Sequence, residues 1–299
     1  MSLSRPAAGG ESCKQDSFLE VYYGAKSGYK SYSKNHVGYT TMNSRDTIES
    51  ECKNLILFLF AAFLIPLVAI VAQMLISNDI ICLALYGIQA AAPTISAVVV
   101  LRLNKELKKH FTQMFRRDHL RMAVILPFII ACTTMILAKM IFCSLFERAF
   151  ILGNISRAQF VIILWALFAE EIGWRGYLEP LLKMRGVPRW MVPCIVGVVW
   201  CLWHYHFFLQ DGMEVPMPLF FISCIIESYI YSFLMNVTNY NIVSAMTYHF
   251  AWNLLTRIVA INPADNNGNI FPYIILIILE ALTLLVFWII RKKNYETAV

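Results

Sequence analysis

Two adjacent carboxylates and a guanidinium interrupt the apolar stretch "WALFAEEIGWRGYLEP", as Glu170, Glu171 and Arg175. Glu171 and Arg175 are four residues apart, so on a helix they share a face and can form an ion pair. Glu170 lies about 100° further round the helix axis and lacks that partner. We therefore predict that Glu170 is free to exchange a proton, as general acid–base catalysis requires. A purely structural salt-bridge cluster is the alternative that this motif leaves open.

Histidines occur in a second apolar stretch, "VVWCLWHYHFFL". His204 and His206 are two residues apart, so on a helix they point to different faces, and we expect only one of them to meet the Glu170 site. Trp200 precedes His204 by one helical turn and is placed to support the imidazole ring. Taken alone, an intramembrane histidine is more often a hydrogen-bonded packing residue than a catalytic one.

A third stretch, "MTYHFAWNLLTRI", places His249, Asn253 and Arg257 at successive four-residue intervals. On a helix, His249 and Asn253 lie on one face and can point at a single oxygen atom. Stabilising an oxyanion requires such fixed donors in a site that excludes bulk water. The alternative is an ordinary interhelical hydrogen bond from Asn253, worth about 1 kcal/mol.

The composition predicts that these motifs lie in membrane-spanning helices. The chain has 299 residues, of which 59% are hydrophobic and 15% are charged, and its mean hydropathy is +0.60. Soluble domains keep about a quarter of their residues charged, and runs of about 20 apolar residues indicate transmembrane helices. We predict an all-α, multi-pass membrane protein with eight spans, numbered one to eight: Asn54–Ser77, Ile80–Leu101, Met122–Leu145, Ala158–Leu181, Trp190–Leu209, Pro216–Met235, Ile242–Ala260 and Phe271–Ile290.

The distribution of basic residues predicts that both termini are cytoplasmic. The segment between spans two and three contains Arg102, Lys105, Lys108, Lys109, Arg116, Arg117 and Arg121. More Lys and Arg residues follow spans four and eight, whereas the segments after spans one, five and seven are poor in both. Such asymmetry marks the cytoplasmic side. The net charge of +6 therefore reflects topology, and no nucleic-acid partner is expected.

This topology divides the chain into a polar cytoplasmic segment, residues 1–53, and a membrane domain, residues 54–299. It also puts His204 in the outer half of span five. An ionisable side chain facing lipid at mid-bilayer costs about 3 kcal/mol on insertion scales, so the polar residues of spans four, five and seven must face the protein interior.

The three motifs together resemble those of the CAAX-protease and bacteriocin-processing (CPBP, or Abi) family of intramembrane endopeptidases. "EEIGWRG" is similar to the family's E-E-x-x-x-R motif, Trp200 to His204 to its F-x-x-x-H motif, and His249 to Asn253 to its H-x-x-x-N motif. The motifs occur in the family's order on separate predicted spans, and the resemblance covers about residues 120–260. One departure is Trp200, which stands where the family usually has Phe.

The resemblance implies a role for each motif residue. Glu170 and His204 would activate the hydrolytic water, and His249 with Asn253 would stabilise the oxyanion. Glu171, Arg175 and Trp200 would support the site. The substrate would be a membrane-anchored or lipidated peptide or protein.

The "GWRG" and "HYHFFL" segments are more similar to bacterial members than to eukaryotic ones. We therefore expect an integral protein of a bacterial cell membrane.

Two alternatives accompany this glutamate-type protease, for which no cofactor is expected. Glu170, His204 and His249 would form a workable catalytic zinc set, although no H-E-x-x-H helix aligns two ligands in advance. A transporter or a bacteriocin-immunity scaffold would also use buried Glu and His residues, as proton relays do. Against transport stands the absence of visible inverted repeats in the sequence.

Overall fold

The computed structural model describes residues 44–210 and 215–296, and within these ranges the chain is α-helical without a β-strand. Most of the predicted cytoplasmic segment, residues 1–43, lies outside the described ranges. The helices are α1 (Ser44–Leu75), α2 (Asp79–Ala90), α3 (Ala92–Leu103), α4 (Leu107–Met114), α5 (Leu120–Leu145), α6 (Arg157–Ala169), α7 (Glu171–Gly173), a π-helical turn (Trp174–Leu178), α8 (Glu179–Met184), α9 (Met191–Trp203), α10 (Tyr205–Gln210), α11 (Met217–Val237), α12 (Val243–Ile258), a 3-10 turn (Pro263–Asn266) and α13 (Phe271–Glu296).

Each predicted span corresponds to one helix or to a short series of helices. Five helical segments of the described chain are long and apolar enough to cross a membrane, and a sixth is the pair α2 and α3, bent by 65°. The chain is therefore an all-α, multi-pass integral membrane protein. The exact count of eight and the cytoplasmic location of both termini stay predictions.

Two of the predicted spans contain α-helices that are too short to cross a membrane alone. Helix α6 has 13 residues and α12 has 16, fewer than the roughly 20 residues that a full crossing needs. Helix α6 begins with a capping box between Ser156 and Gln159 and ends just before Glu170. Span four continues beyond this point through α7, the π-helical turn and α8 to Met184.

Close packing between helices depends on small residues at two crossings. Gly173 of α7 lies against the backbone of Pro93 at the start of α3. Gly197 of α9 lies against the backbone of Cys224 and Ile225 in α11. Helix α12 packs against α5, α6 and α11, so its polar face is enclosed by neighbouring helices.

Candidate active site

The first motif lies at a break in the helix. Glu170 is the C-terminal cap of α6, Glu171 begins α7, and Arg175 belongs to the π-helical turn that follows. π-helical turns within α-helices are frequent at functional sites. All three side chains are buried, Glu171 and Arg175 completely. The predicted span is therefore interrupted where its charges occur.

The predicted ion pair between Glu171 and Arg175 is present, with Nη1 of Arg175 3.2 Å from Oε1 of Glu171. The guanidinium also donates to Oγ of Ser228 at 3.0 Å and lies 3.9 Å from the centre of the Tyr231 ring. It lies 4.6 Å from the centre of the Trp200 ring. The segment from Glu170 to Leu178 is called the motif turn below. Arg175 thus joins the motif turn to α9 and α11.

Glu171 makes a second contact, which the sequence did not predict. Its Oε1 lies 2.7 Å from Nδ1 of His249 on α12. An ionised carboxylate can only accept, so Nδ1 of His249 carries the hydrogen. This bond directs Nε2 of His249 towards Glu170, whose Oε1 is 4.0 Å away.

Trp200 holds the other glutamate. Its indole Nε1 donates to Oε2 of Glu170 at 2.7 Å. The same ring lies 5.5 Å from the ring of His204 and 6.1 Å from that of His249, centre to centre. The supporting position predicted for Trp200 beside His204 is present, and its direct bond to Glu170 is an addition.

Of the two histidines in the second motif, His204 lines the site and His206 does not. Nδ1 of His204 lies 2.8 Å from the carbonyl oxygen of Trp200. A carbonyl only accepts, so in the neutral ring the lone pair is on Nε2. His206 is fully buried and binds the carbonyl of Trp203 instead, in a cluster of aromatic rings.

These groups line a cavity of about 640 Å³. Glu170, Trp200, His204, His249 and Asn253 all contribute to its wall. Glu171 and Arg175 stay behind the wall and contact the site through His249 and Trp200. Apolar side chains complete the lining, including Leu83, Val161, Trp165, Phe207 and Phe220. The helices therefore bring the carboxyl group of Glu170, the imidazoles of His204 and His249 and the amide of Asn253 to a single cavity.

The arrangement is suited to acid–base chemistry. The carboxylate of Glu170 shares the cavity with His204, whose Nε2 is open, and with His249, whose Nδ1 is bonded to the buried carboxylate of Glu171. The arrangement does not present a preformed zinc site. In the described part of the chain, no three His, Cys, Asp or Glu side chains are arranged to hold a metal ion. Glu170, His204 and His249 thus line one cavity without forming a ligand set.

Two further carboxylates lie beside the site and are hydrogen-bonded. Glu227 accepts from Ser223, and Glu280 accepts from Tyr248 at 3.3 Å and from Trp252 at 3.1 Å. Neither forms an ion pair with Arg257 among the described contacts. Both are buried, and Glu227 lines the cavity whereas Glu280 does not.

Comparison with known proteins supports the relationship suggested by the motifs. Residues 153–255 match the sequence model of a family described as "Type II CAAX prenyl endopeptidase Rce1-like". A curated relative, "CAAX prenyl protease 2" of the archaeon Methanococcus maripaludis, is 24% identical over 196 residues, which cover 57% of this chain and 70% of the relative. The matched family segment contains all three motifs, the residues that line the cavity from α6 and α9, and those of α12 as far as Asn253. These two matches support membership of the CAAX-protease and bacteriocin-processing family and support an intramembrane protease of the CAAX-protease type.

Proposed function

We propose that this protease hydrolyses a peptide bond in a membrane-associated, lipid-modified peptide by means of a water molecule activated by Glu170 and His204, without a metal. The observation that carries the proposal is the fixed position of Glu170. One of its oxygens is held by Trp200 and the other faces Nε2 of His249 across 4.0 Å. This leaves the carboxylate directed into the cavity, with His204 on the same wall.

The reaction begins when water attacks the scissile carbonyl carbon and gives a proton to Glu170, with Nε2 of His204 orienting the water. The carbonyl oxygen becomes an oxyanion, which the side-chain amide of Asn253 and Nε2 of His249 stabilise. His249 donates from Nε2 only when both ring nitrogens carry hydrogen, and in that form its Nδ1–H stays bonded to the Glu171 carboxylate. Glu170 then returns its proton to the leaving nitrogen as the C–N bond breaks, giving an acid and an amine.

The substrate class follows from the lining and from the comparisons. Apolar side chains from α2, α6, α10 and α11 surround the polar groups, which suits an apolar peptide or its lipid group. The curated relative is named as a prenyl protease. We therefore take an S-farnesylcysteine peptide as the test substrate.

The decisive experiment compares Glu170→Gln with Glu280→Gln in detergent, without any ion gradient. Glu280 is also a buried, hydrogen-bonded carboxylate, but it does not line the cavity. We expect Glu170→Gln to lower the cleavage rate by a factor of about one hundred or more while melting normally. Glu280→Gln should cleave at a rate close to that of the wild type. Full activity of folded Glu170→Gln would refute the role of Glu170, and loss of activity on chelation would refute the metal-free mechanism.

A further inference from the structure

Three polar side chains form a line along one wall of the cavity. Asn253 and Arg257 belong to α12, and Asn262 follows the end of that helix. Within the described chain, none of these three side chains has a hydrogen-bond or ion-pair partner. Each presents N–H donors to the cavity, and Arg257 adds a full positive charge.

Arg257 differs in this respect from the other arginine near the site. Arg175 is satisfied by Glu171, Ser228 and two aromatic rings. Arg257 is half-buried and forms no ion pair with a described carboxylate. Isolated charges in a low-dielectric setting are costly unless an anion neutralises them. An unpaired guanidinium on a cavity wall therefore indicates that the ligand supplies the anion.

Helix geometry gives the distance of this charge from the reacting groups. A helix rises about 1.5 Å per residue, so Arg257 is about 12 Å beyond His249 along α12, and Asn253 is about 6 Å beyond it. An extended peptide covers about 3.3 to 3.6 Å per residue. A peptide whose scissile carbonyl lies between His249 and Asn253 thus reaches Arg257 about three residues later.

Apolar residues of the same cavity define what can lie between these points. They include Val161 and Trp165 of α6 and also Phe207 and Phe220. These surfaces accept apolar side chains. The complementary ligand is a short apolar peptide segment that ends in a carboxylate.

We propose that Arg257, assisted by Asn262, binds the α-carboxylate at the C-terminus of the substrate and thereby sets the distance from that end to the cleaved bond. Arg257 is then a specificity-determining residue, outside the acid–base machinery. A guanidinium matches a carboxylate with two parallel hydrogen bonds, whereas a C-terminal amide lacks the negative charge. This inference rests on the proposed function for the position of the scissile bond.

The test measures binding and cleavage of three synthetic peptides that carry S-farnesylcysteine followed by three residues, which are apolar except where stated. One is the free acid, one is the C-terminal amide, and one is an amide with Glu as its last residue. Binding is measured with the Glu170→Gln protein, so it needs no turnover. The same background carries Arg257→Gln or, as control, Arg157→Gln, which removes an exposed arginine at the start of α6. Cleavage is measured with the corresponding single variants.

We expect the free acid to bind about tenfold or more tightly than the amide, a preference abolished by Arg257→Gln and kept by Arg157→Gln and Arg257→Lys. Equal binding of acid and amide, or equal weakening of both by Arg257→Gln, would overturn the inference. If the Glu-bearing amide binds like the acid, the α-carboxylate assignment is wrong and Arg257 recognises an acidic side chain. An intact acid preference without cleavage by the wild type would refute the proposed function alone. Glu170-dependent cleavage without that preference would refute only this inference.

Discussion

A single indole connects the reactive groups of the site. Trp200 donates to Glu170, and its ring contacts both His204 and His249. Its backbone carbonyl also fixes the tautomer of His204. One residue therefore contacts a carboxylate and two imidazoles of the site.

The Trp200→Phe substitution tests this positioning. It keeps an aromatic ring, the residue usual in the family, and removes the N–H that holds Glu170. Because a hydrogen bond to a charged group contributes about 1.5 to 3 kcal/mol, we expect kcat to fall by about tenfold or more. Trp203→Phe is the control, because the Trp203 indole donates to the carbonyl of Ala62 at 3.0 Å, away from the cavity. It should lower the melting temperature and leave kcat near the wild-type value. An unchanged kcat in Trp200→Phe would contradict the prediction.

Contacts between residues of the same helix were the part of the site that the sequence could predict, because they follow from residue spacing. This spacing correctly paired Glu171 with Arg175, because residues four apart meet on the same helix. The bonds from Glu171 to His249 and from Trp200 to Glu170 join different helices. Their formation depends on how the helices are rotated and shifted against each other, which no spacing within one motif specifies. The catalytic roles of these residues stay predictions.

The motif turn between α6 and α8 requires a residue without a side chain at its closest contact. A Cβ on Gly173 would lie 2.5 Å from the carbonyl carbon of Pro93 and 2.6 Å from its oxygen. These are backbone atoms, so relief requires α3 and α7 to separate. The same segment carries Glu171, so the separation would also displace the site.

We therefore expect Gly173→Ala to destabilise the protein by about 1 to 3 kcal/mol, as overpacking of a filled core does. Gly87→Ala is a matched control on α2, since its Cβ would meet only Nε1 of Trp165 at 3.9 Å, an ordinary contact. Thermal unfolding in detergent measures both. A Gly173→Ala protein as stable as Gly87→Ala would show that the two helices can separate without cost.

Helix α4, in the basic segment, is attached to the motif turn through one histidine. Nε2 of His110 donates to the carbonyl oxygen of Gly176 at 2.8 Å, and the ring is buried. Burial lowers the pKa of His110 below its ordinary value of 6.5, because the cation is poorly solvated there. The neutral ring is therefore the form compatible with docking of α4.

The contribution of His110 to protein stability depends on pH because its pKa is lowered in the folded state. Above pH 6.5 the ring is neutral in both folded and unfolded states, so its full contribution to stability is present. As the pH falls below that value, the unfolded chain binds a proton first and the contribution is lost. We expect the difference in melting temperature between wild type and His110→Gln to shrink between pH 8 and pH 5. A constant or widening difference would contradict the docking role of His110.

The positions of the long helices were largely predictable, because apolar runs of about 20 residues extend through most of the chain. The positions at which these helices are interrupted could not be predicted. The bend at Ala91 and the π-helical turn at Trp174 depend on packing, notably the approach of Gly173 to Pro93. The first helix also begins at Ser44, ten residues before the predicted span. A polar sequence before an apolar run does not reveal where the helix begins.

The cavity occupies the half of the bundle opposite the basic segments. Its lining comes from α2 and α6, from the C-terminal parts of α9 and α12, and from the N-terminal parts of α11 and α13. All of these lie towards the segments after spans one, five and seven, which are poor in Lys and Arg. The positive-inside rule then predicts that the cavity opens away from the cytoplasm.

Cysteine labelling in intact cells tests this orientation. In a background with the native cysteines replaced, Asp265→Cys marks the cavity side and Lys108→Cys marks the basic side, and both positions are exposed. We expect a membrane-impermeant maleimide to label Asp265→Cys in intact cells and Lys108→Cys only after permeabilisation. The reverse pattern would place the site on the cytoplasmic side and refute the predicted topology.

Because of the way His204 is held, its ring can exchange protons through only one of its two nitrogens. Nδ1 points at a peptide carbonyl, a group too weakly basic to accept a proton, so whatever enters at Nε2 must leave by the same atom. Proton conduction across a bilayer needs one atom that accepts the proton and a different atom that releases it, and this imidazole has only Nε2 available. Its geometry suits the proposed role of orienting the attacking water through Nε2, and it argues against a relay between the two sides of the membrane.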